Sequence, residues 1–336
     1  MTTGSRTLCY LAILAILISI PLWVTHQYYL HVLIIMLLYS IVALGLRLIW
    51  RTGQVSLAQA GFMAIGAYAT SLMVKKLGFS FWLALPLGGV TSAVIAIAIG
   101  IPTLKLRGSY FFLVTFAIGE AVRLFLSYVW RPFFGGPNGI DKIQPPDTIF
   151  IPGLATLEFG SKISYYYLVL VVFIIIFLLM RRIDTSRIGS TILALRDAED
   201  LAEAVGIPTM RYRVFAFATG CFCAGIAGGI YAPYHTQISP VSFTMIQSTE
   251  FLAYVVVGGG GNALGPVIGT VMLEFIGEVV RGVGEYEIVI SGFLMILVMI
   301  FMPAGMLGLP KIIRSIKRRR SGINEDDLEI SRGTTA

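Results

Sequence analysis

The sequence predicts an all-α, polytopic membrane protein of about ten spanning helices (eight to ten). Three observations predict it. Of 336 residues, 57% are hydrophobic and 13% charged, about half the charge that a soluble chain of ordinary composition carries. Mean hydropathy is +0.84. The apolar residues are also gathered into blocks near the length that crosses a bilayer core of about 30 Å; the clearest, Ile163–Met180, passes without one charge. A single block of this kind fits a buried soluble helix, but a series of them does not.

Taken in order, the spans fall at about 8–24, 30–50, 55–74, 81–101, 109–130, 163–180, 213–234, 244–258, 265–281 and 287–303. The first follows Arg6 and has the look of a signal peptide, but no small-x-small cleavage site comes after it, so it reads as an uncleaved span. The third and eighth are short or glycine-rich; if either is re-entrant, the count drops to nine or eight. Orientation follows from the cations. With both termini cytoplasmic, eighteen of the 25 Lys and Arg lie inside and six outside, with Arg123 within a span. Lys75 and Lys76 on the outside are the main misfit. Cys9, Cys221 and Cys223 sit in apolar segments without a C-x-x-C or a His/Cys cluster, so they read as small buried hydrophobes, and no metal site is expected.

Residues 1–310 therefore form one transmembrane domain, with an external loop at 131–162, a charged cytoplasmic loop at 181–212, and a cytoplasmic tail at 311–336. The basic part of that tail, Lys311–Arg320, suits the anionic inner leaflet. In the cytoplasmic loop Leu195, Ala198, Ala202 and Val205 recur at helical spacing, with Arg196, Glu199, Asp200 and Glu203 on other faces. Gly206 and Ile207-Pro208 stop the run. These residues predict one short amphipathic helix over Ile192–Val205. On physical grounds it is either a simple interfacial connector or a docking helix for a soluble partner.

Ala194–Ile207 resembles the Glu-Ala-x-x-Gly coupling loop of ABC importer permeases. Six further segments occur in the order found in the membrane subunits of branched-chain amino acid importers, the LivM type. They are Gly53–Phe62, Leu104–Tyr110, Ile118–Arg123, Gly135–Ile140, Ile238–Phe243 and Val257–Pro266. The resemblance runs from about 40 to 300. At Ala58 such proteins commonly carry glycine, a small-for-small change. The resemblance implies a multi-pass inner-membrane subunit that pairs with a homologous LivH-like permease, two ATP-binding subunits and a periplasmic solute-binding protein, with no nucleic-acid partner. It implies ATPase-coupling roles for Arg196, Asp197, Glu199, Asp200, Glu203, Ala204, Gly206 and Arg211. ATP and magnesium would belong to the partner subunits, since this chain has no G-x-x-x-x-G-K-[ST] loop and is not expected to be an enzyme.

Two further sets of residues bear on transport. Gly53, Gly61 and Gly66 punctuate one segment, and Gly258, Gly261, Gly265 and Gly269 another. Such spacing either lets helices approach closely or breaks a helix beside a polar passage. Gln54, Ser56, Gln59 and Asn262 lie within these segments. Glu120 and Arg123, three apart, either pair structurally or line a pathway together with Glu250. Glu274 is a further carboxylate within a span. An amino acid needs an acceptor for its ammonium and donors for its carboxylate. Urea, an amide or another small polar solute is the alternative cargo, and a stand-alone secondary transporter the alternative class.

Overall fold

The computed structural model describes residues 17–21, 26–106, 108–151, 155–157, 159–281 and 292–293. Within these the chain is helical, in agreement with the predicted class. The long helices are α1 (Gln27–Trp50), α2 (Gln59–Leu77), α3 (Phe81–Thr103) and α4 (Ser109–Tyr128); after a four-residue turn of helix, α5 (Arg131–Phe134), come α6 (Lys162–Thr185), α7 (Arg187–Asp197), α8 (Glu199–Ala204), α9 (Thr209–His235), α10 (Met245–Gly258) and α11 (Leu264–Val280). A small antiparallel pair in the 131–162 loop, β1 (Ile149–Ile151) with β2 (Ala155–Leu157), departs from the all-α expectation.

Among the described residues six helical segments are long and apolar enough to cross a membrane: α1, α3, α4, α6, α9 and the stretch Pro240–Gly258 ending in α10. The predicted third span is helical only from Gln59, because residues 54–58 are not helical. The predicted ninth, α11, has 17 residues, at the lower end of the length that crosses a bilayer core. Most of the predicted spans at 8–24 and 287–303, Cys9, and the boundary at 310 with its tail lie outside the described residues.

The bundle is organised around α9, which packs on α1, α2 and α3. Its sequence explains this centrality. Gly220, Gly225 and Gly228 remove side chains where other backbones pass: a Cβ on Gly225 would lie 2.6 Å from the Ser92 Cβ, and one on Gly228 would lie 1.9 Å from the Met63 carbonyl oxygen. On α2, a Cβ at Gly66 would lie 2.2 Å from the Gly225 carbonyl oxygen. Helices lacking a hydrophobic drive between them in lipid associate through such contacts. Ser92 Oγ lies 3.1 Å from Phe62 O and 2.9 Å from Cys221 O, so one hydroxyl of α3 serves both α2 and α9. Cys221 and Cys223 are buried and unbridged.

Lys75 and Lys76, the misfits of the expected orientation, both have partners. Lys75 Nζ donates to the Asp141 carbonyl at 2.7 Å and Lys76 Nζ to the Phe133 carbonyl at 3.1 Å, so both hold down the loop beyond α4. That loop is pinned again by the Ile140–Ile238 bridge, where a Cβ on Gly139 (φ +75°) would lie 1.8 Å from the Ile238 carbonyl oxygen. From this end α6 runs 24 residues to the charged loop at 181–212, roughly 36 Å of helix.

Candidate functional site

At the foot of α6 the chain turns sharply. Ser186 caps α7 by accepting from the Gly189 N–H at 3.3 Å. Gly189 itself admits the turn, since a Cβ there would lie 2.3 Å from the Ile183 carbonyl oxygen. The single helix predicted over Ile192–Val205 is instead two, α7 and α8, separated at Ala198 (φ −155°, ψ 75°). The break shifts the phase of the apolar stripe. Ile192, Leu195 and Ala202 are buried, whereas Ala198 is exposed and Leu201 and Val205 are 67% and 70% exposed. Gly206 ends the run as expected, at φ +81°. Ile207 N–H donates to Ala202 O and Gly206 N–H to Glu203 O, the two bonds of a Schellman cap.

The eight residues assigned to coupling divide here. Arg196, Asp197, Asp200, Ala204 and Arg211 are exposed, as is Gly206. Glu199 pairs with the buried Arg213 of α9, and Glu203 accepts from Thr209 Oγ1 at 2.8 Å. These two carboxylates tie the elbow to α9, Glu199 half-buried and Glu203 still exposed. Beneath the elbow, Arg47 and Arg51 at the end of α1 both bind Asp184 of α6, Arg47 at 2.9 Å. Arg47 Nε also donates to the Gly260 carbonyl at 3.0 Å. The sequence had offered Arg47 and Arg51 only as inside charges; their partners are too distant along the chain for any local pattern to announce them.

After the turn that follows α1, residues 54–58 form a non-helical, largely buried segment. Buried peptide groups need partners: Leu57 N–H donates to Thr115 Oγ1 of α4 at 3.1 Å, and at the start of α2 Ala60 N–H donates to Ser248 Oγ of α10 at 3.1 Å. Gly53 (φ +82°) sits against α7, where a Cβ would lie 3.7 Å from Arg196 Cα, and Gly61 faces α4, where a Cβ would lie 3.0 Å from Gly119 Cα. Gln54, Ser56 and Gln59 are thus brought together and buried. Gln54 Nε2 donates to Leu104 O at 3.4 Å, while Gln54 Oε1 and both polar atoms of the Gln59 side chain have no partner among the described residues.

Glu120 and Arg123 pair on α4, with Arg123 Nε 2.9 and 3.0 Å from the two carboxylate oxygens. Their helix is the least covered of the six spans, with Leu113, Leu124 and Phe125 exposed beside them. Glu250 stands elsewhere. It lines a cavity of about 590 Å³ between α1, α9, α10 and α11, with Tyr39, Tyr231, Tyr254 and Glu274 also on its wall. Tyr254 Oη donates to Glu274. Asn262 is in neither group; it lies in the break before α11, where its Oδ1 accepts from Leu264 N–H at 3.5 Å.

The glycines from 258 to 269 act in two ways. Gly258, Gly265 and Gly269 let α10 and α11 touch backbone to backbone; a Cβ on Gly265 would lie 1.9 Å from Gly259 O. Gly259 (φ +92°) turns the chain between the two helices, and Gly261 is exposed, with open space where a side chain would lie.

A family profile described as "Branched-chain amino acid transport system / permease component" matches residues 28–303, a stretch that takes in every feature above. The chain belongs to this family. It is 33% identical over 327 residues to the high-affinity branched-chain amino acid transport system permease protein LivM of Salmonella typhimurium, covering 91% of this chain and 76% of that one. It is 30% identical over 324 residues to LivM of Escherichia coli K12, with the same coverage. The LivH permease protein of Salmonella typhimurium is 25% identical over 298 residues, 82% of this chain and 92% of its own. No solved structure matches. As a member of the permease family with several apolar helices, the chain is a multi-pass membrane protein.

Within this permease fold the elbow α7–α8 is a charged and largely exposed element, and residues 54–58, α4 and the Glu250 cavity are where polar groups enter the helices. The glycines of α9 are the structural feature that the sequence reading passed over. Gly220, Gly225, Gly228 and Gly229 were visible as a small-residue series, the usual mark of close helix contact.

Proposed function

We propose that this chain is one of two permease subunits of an ATP-driven importer for branched-chain or related amino acids, sited in the inner membrane. The observation that carries this reading is the family match across residues 28–303, with likeness to permease proteins of both the LivM and LivH types. A LivH-like subunit completes the passage, two ATPase subunits bind ATP and magnesium, and an external solute-binding protein delivers the cargo. The elbow docks the ATPases through the exposed Arg196, Asp197, Asp200, Leu201, Val205 and Arg211. Glu199, Glu203 and Gly206 keep its shape.

The passage runs along the exposed face of α4. An ion pair at bilayer depth is costly against lipid and is retained where it meets protein or water, so the Glu120–Arg123 face turns toward the second permease. The segment that carries Gln54, Ser56 and Gln59 meets the same helix through Leu57 on Thr115 and Gly61 on Gly119. Glu250 offers an acceptor for an ammonium group in its own cavity, away from α4.

The test is reconstitution with the cognate partners and ATP-dependent uptake of labelled leucine, urea and an acidic amino acid. Leucine uptake that requires ATP and all partners is expected. Urea uptake without leucine uptake would replace the cargo, and gradient-driven uptake by the chain alone would replace the class.

A further inference from the structure

We infer that Arg47 is a coupling residue, a strut that carries movement of the cytoplasmic elbow to the glycine break between α10 and α11. The inference rests on the importer reading above and adds to it the route by which the ATPase step reaches the passage.

Three contacts make the route. Asp184 lies in the last turn of α6, immediately before the Ser186 cap of α7, and Gly189 presses α7 against the backbone of Ile183 and Asp184. A tilt of α7 therefore displaces Asp184. Arg47 Nη2 holds Asp184 Oδ2 at 2.9 Å. The same guanidinium donates through Nε to Gly260 O at 3.0 Å and through Nη2 to Gly261 O at 3.4 Å. A planar fork with fixed donor directions links a carboxylate and two carbonyls as a point charge cannot. Arg47 is 1% exposed, so water does not compete for these bonds.

The far end of the strut is a glycine run. Gly258–Gly261 contains four glycines in a row, turns at Gly259, and leaves open space where a Gly261 side chain would lie. Gly260 is held from one side by Trp50, whose Cδ1 would lie 2.6 Å from an added Cβ, and from the other by Arg47. Beyond the break, α10 and α11 are locked to each other by Gly258, Gly265 and Gly269. They form one wall of the cavity that carries Glu250 and Glu274, while α1 and α9 form the other. Displacing the break relative to α1 changes the spacing of those walls.

Arg51 makes the idea separable from simple stability. It binds Asp184 independently, so a change at Arg47 cuts the link to Gly260 while the elbow carboxylate keeps a cation. The experiment compares wild type, Arg47→Lys and Asp184→Asn, each assembled with the cognate permease, ATPases and binding protein in proteoliposomes. Complex recovery, ATP hydrolysis and leucine uptake are all measured. In both variants recovery and hydrolysis stay near wild type, while leucine carried per ATP falls about tenfold, within the usual range for coupling between sites. Uptake and hydrolysis falling together in proportion to recovered complex, or neither variant assembling, would assign Arg47 a purely structural role and overturn the inference. So would normal stoichiometry in both variants. Absence of ATP-dependent uptake in the wild-type complex would instead refute the importer reading itself.

Discussion

Two regions of this protein are rich in glycine, and glycine does different things in them. Where α9 meets α1, α2 and α3, it removes a side chain so that helical backbones can touch, and the surroundings leave no freedom: a Cβ on Gly228 would lie 1.9 Å from Met63 O. Between α10 and α11 the helix stops at Gly258, turns at Gly259 with φ +92°, and passes Gly261, where an added Cβ would meet nothing within 4 Å. The first region is a weld and the second a hinge. Glycine content alone does not distinguish them; an unbroken helix in the first and a positive-φ turn in the second do.

The comparison breaks most visibly if the weld tolerates a methyl group. Gly228→Ala forces α2 and α9 apart and is expected to cost about 3 kcal/mol or more, read as lost yield and a lower unfolding temperature in detergent. Next in size is the elbow's own anchor. Glu199→Ala leaves the buried Arg213 without its carboxylate, a loss of about 3 kcal/mol that should appear as weaker recovery of the ATPase subunits. Thr115→Val strands the buried Leu57 N–H and is expected to cost about 2 kcal/mol, lowering the unfolding temperature by less than Gly228→Ala does. Gly261→Ala, in open space and without a positive φ, should change stability by less than about 1 kcal/mol. It should nevertheless slow uptake, because it stiffens the hinge.

The smallest effect lies where Lys75 meets the 131–162 loop. The hydrogen bond from Lys75 holds the Asp141 carboxyl below its ordinary range. A carboxylate depressed in the folded state favours that state above its unfolded pKa, and the benefit fades as pH falls through the depressed value. Protease cleavage within 131–162 should therefore rise modestly under acid, and Asp141→Asn should flatten that dependence.

Much of this architecture was legible from the sequence, because bilayer thickness imposes a length on apolar blocks that hardly any other constraint mimics. The break at Gly258 was legible too, since four consecutive glycines rarely continue a helix. The elbow was located correctly but drawn as one helix: its apolar residues fit a single phase, and only the backbone at Ala198 shows that Val205 has rotated out to solvent. The contact from Arg47 to Gly260 spans 213 residues and involves a carbonyl oxygen, which no side-chain pattern encodes. Gln54, Ser56 and Gln59 could be named as polar intruders, but their convergence with Thr115 and Ser248 required the fold.

The most direct test of the weld and the hinge is backbone hydrogen exchange on the assembled complex, with and without trapped nucleotide. The account predicts slow exchange over residues 220–229 in both states. It predicts faster exchange over 258–263 that changes when nucleotide is bound. Equal protection of the two segments, or a nucleotide response at 220–229 and none at 258–263, would contradict it.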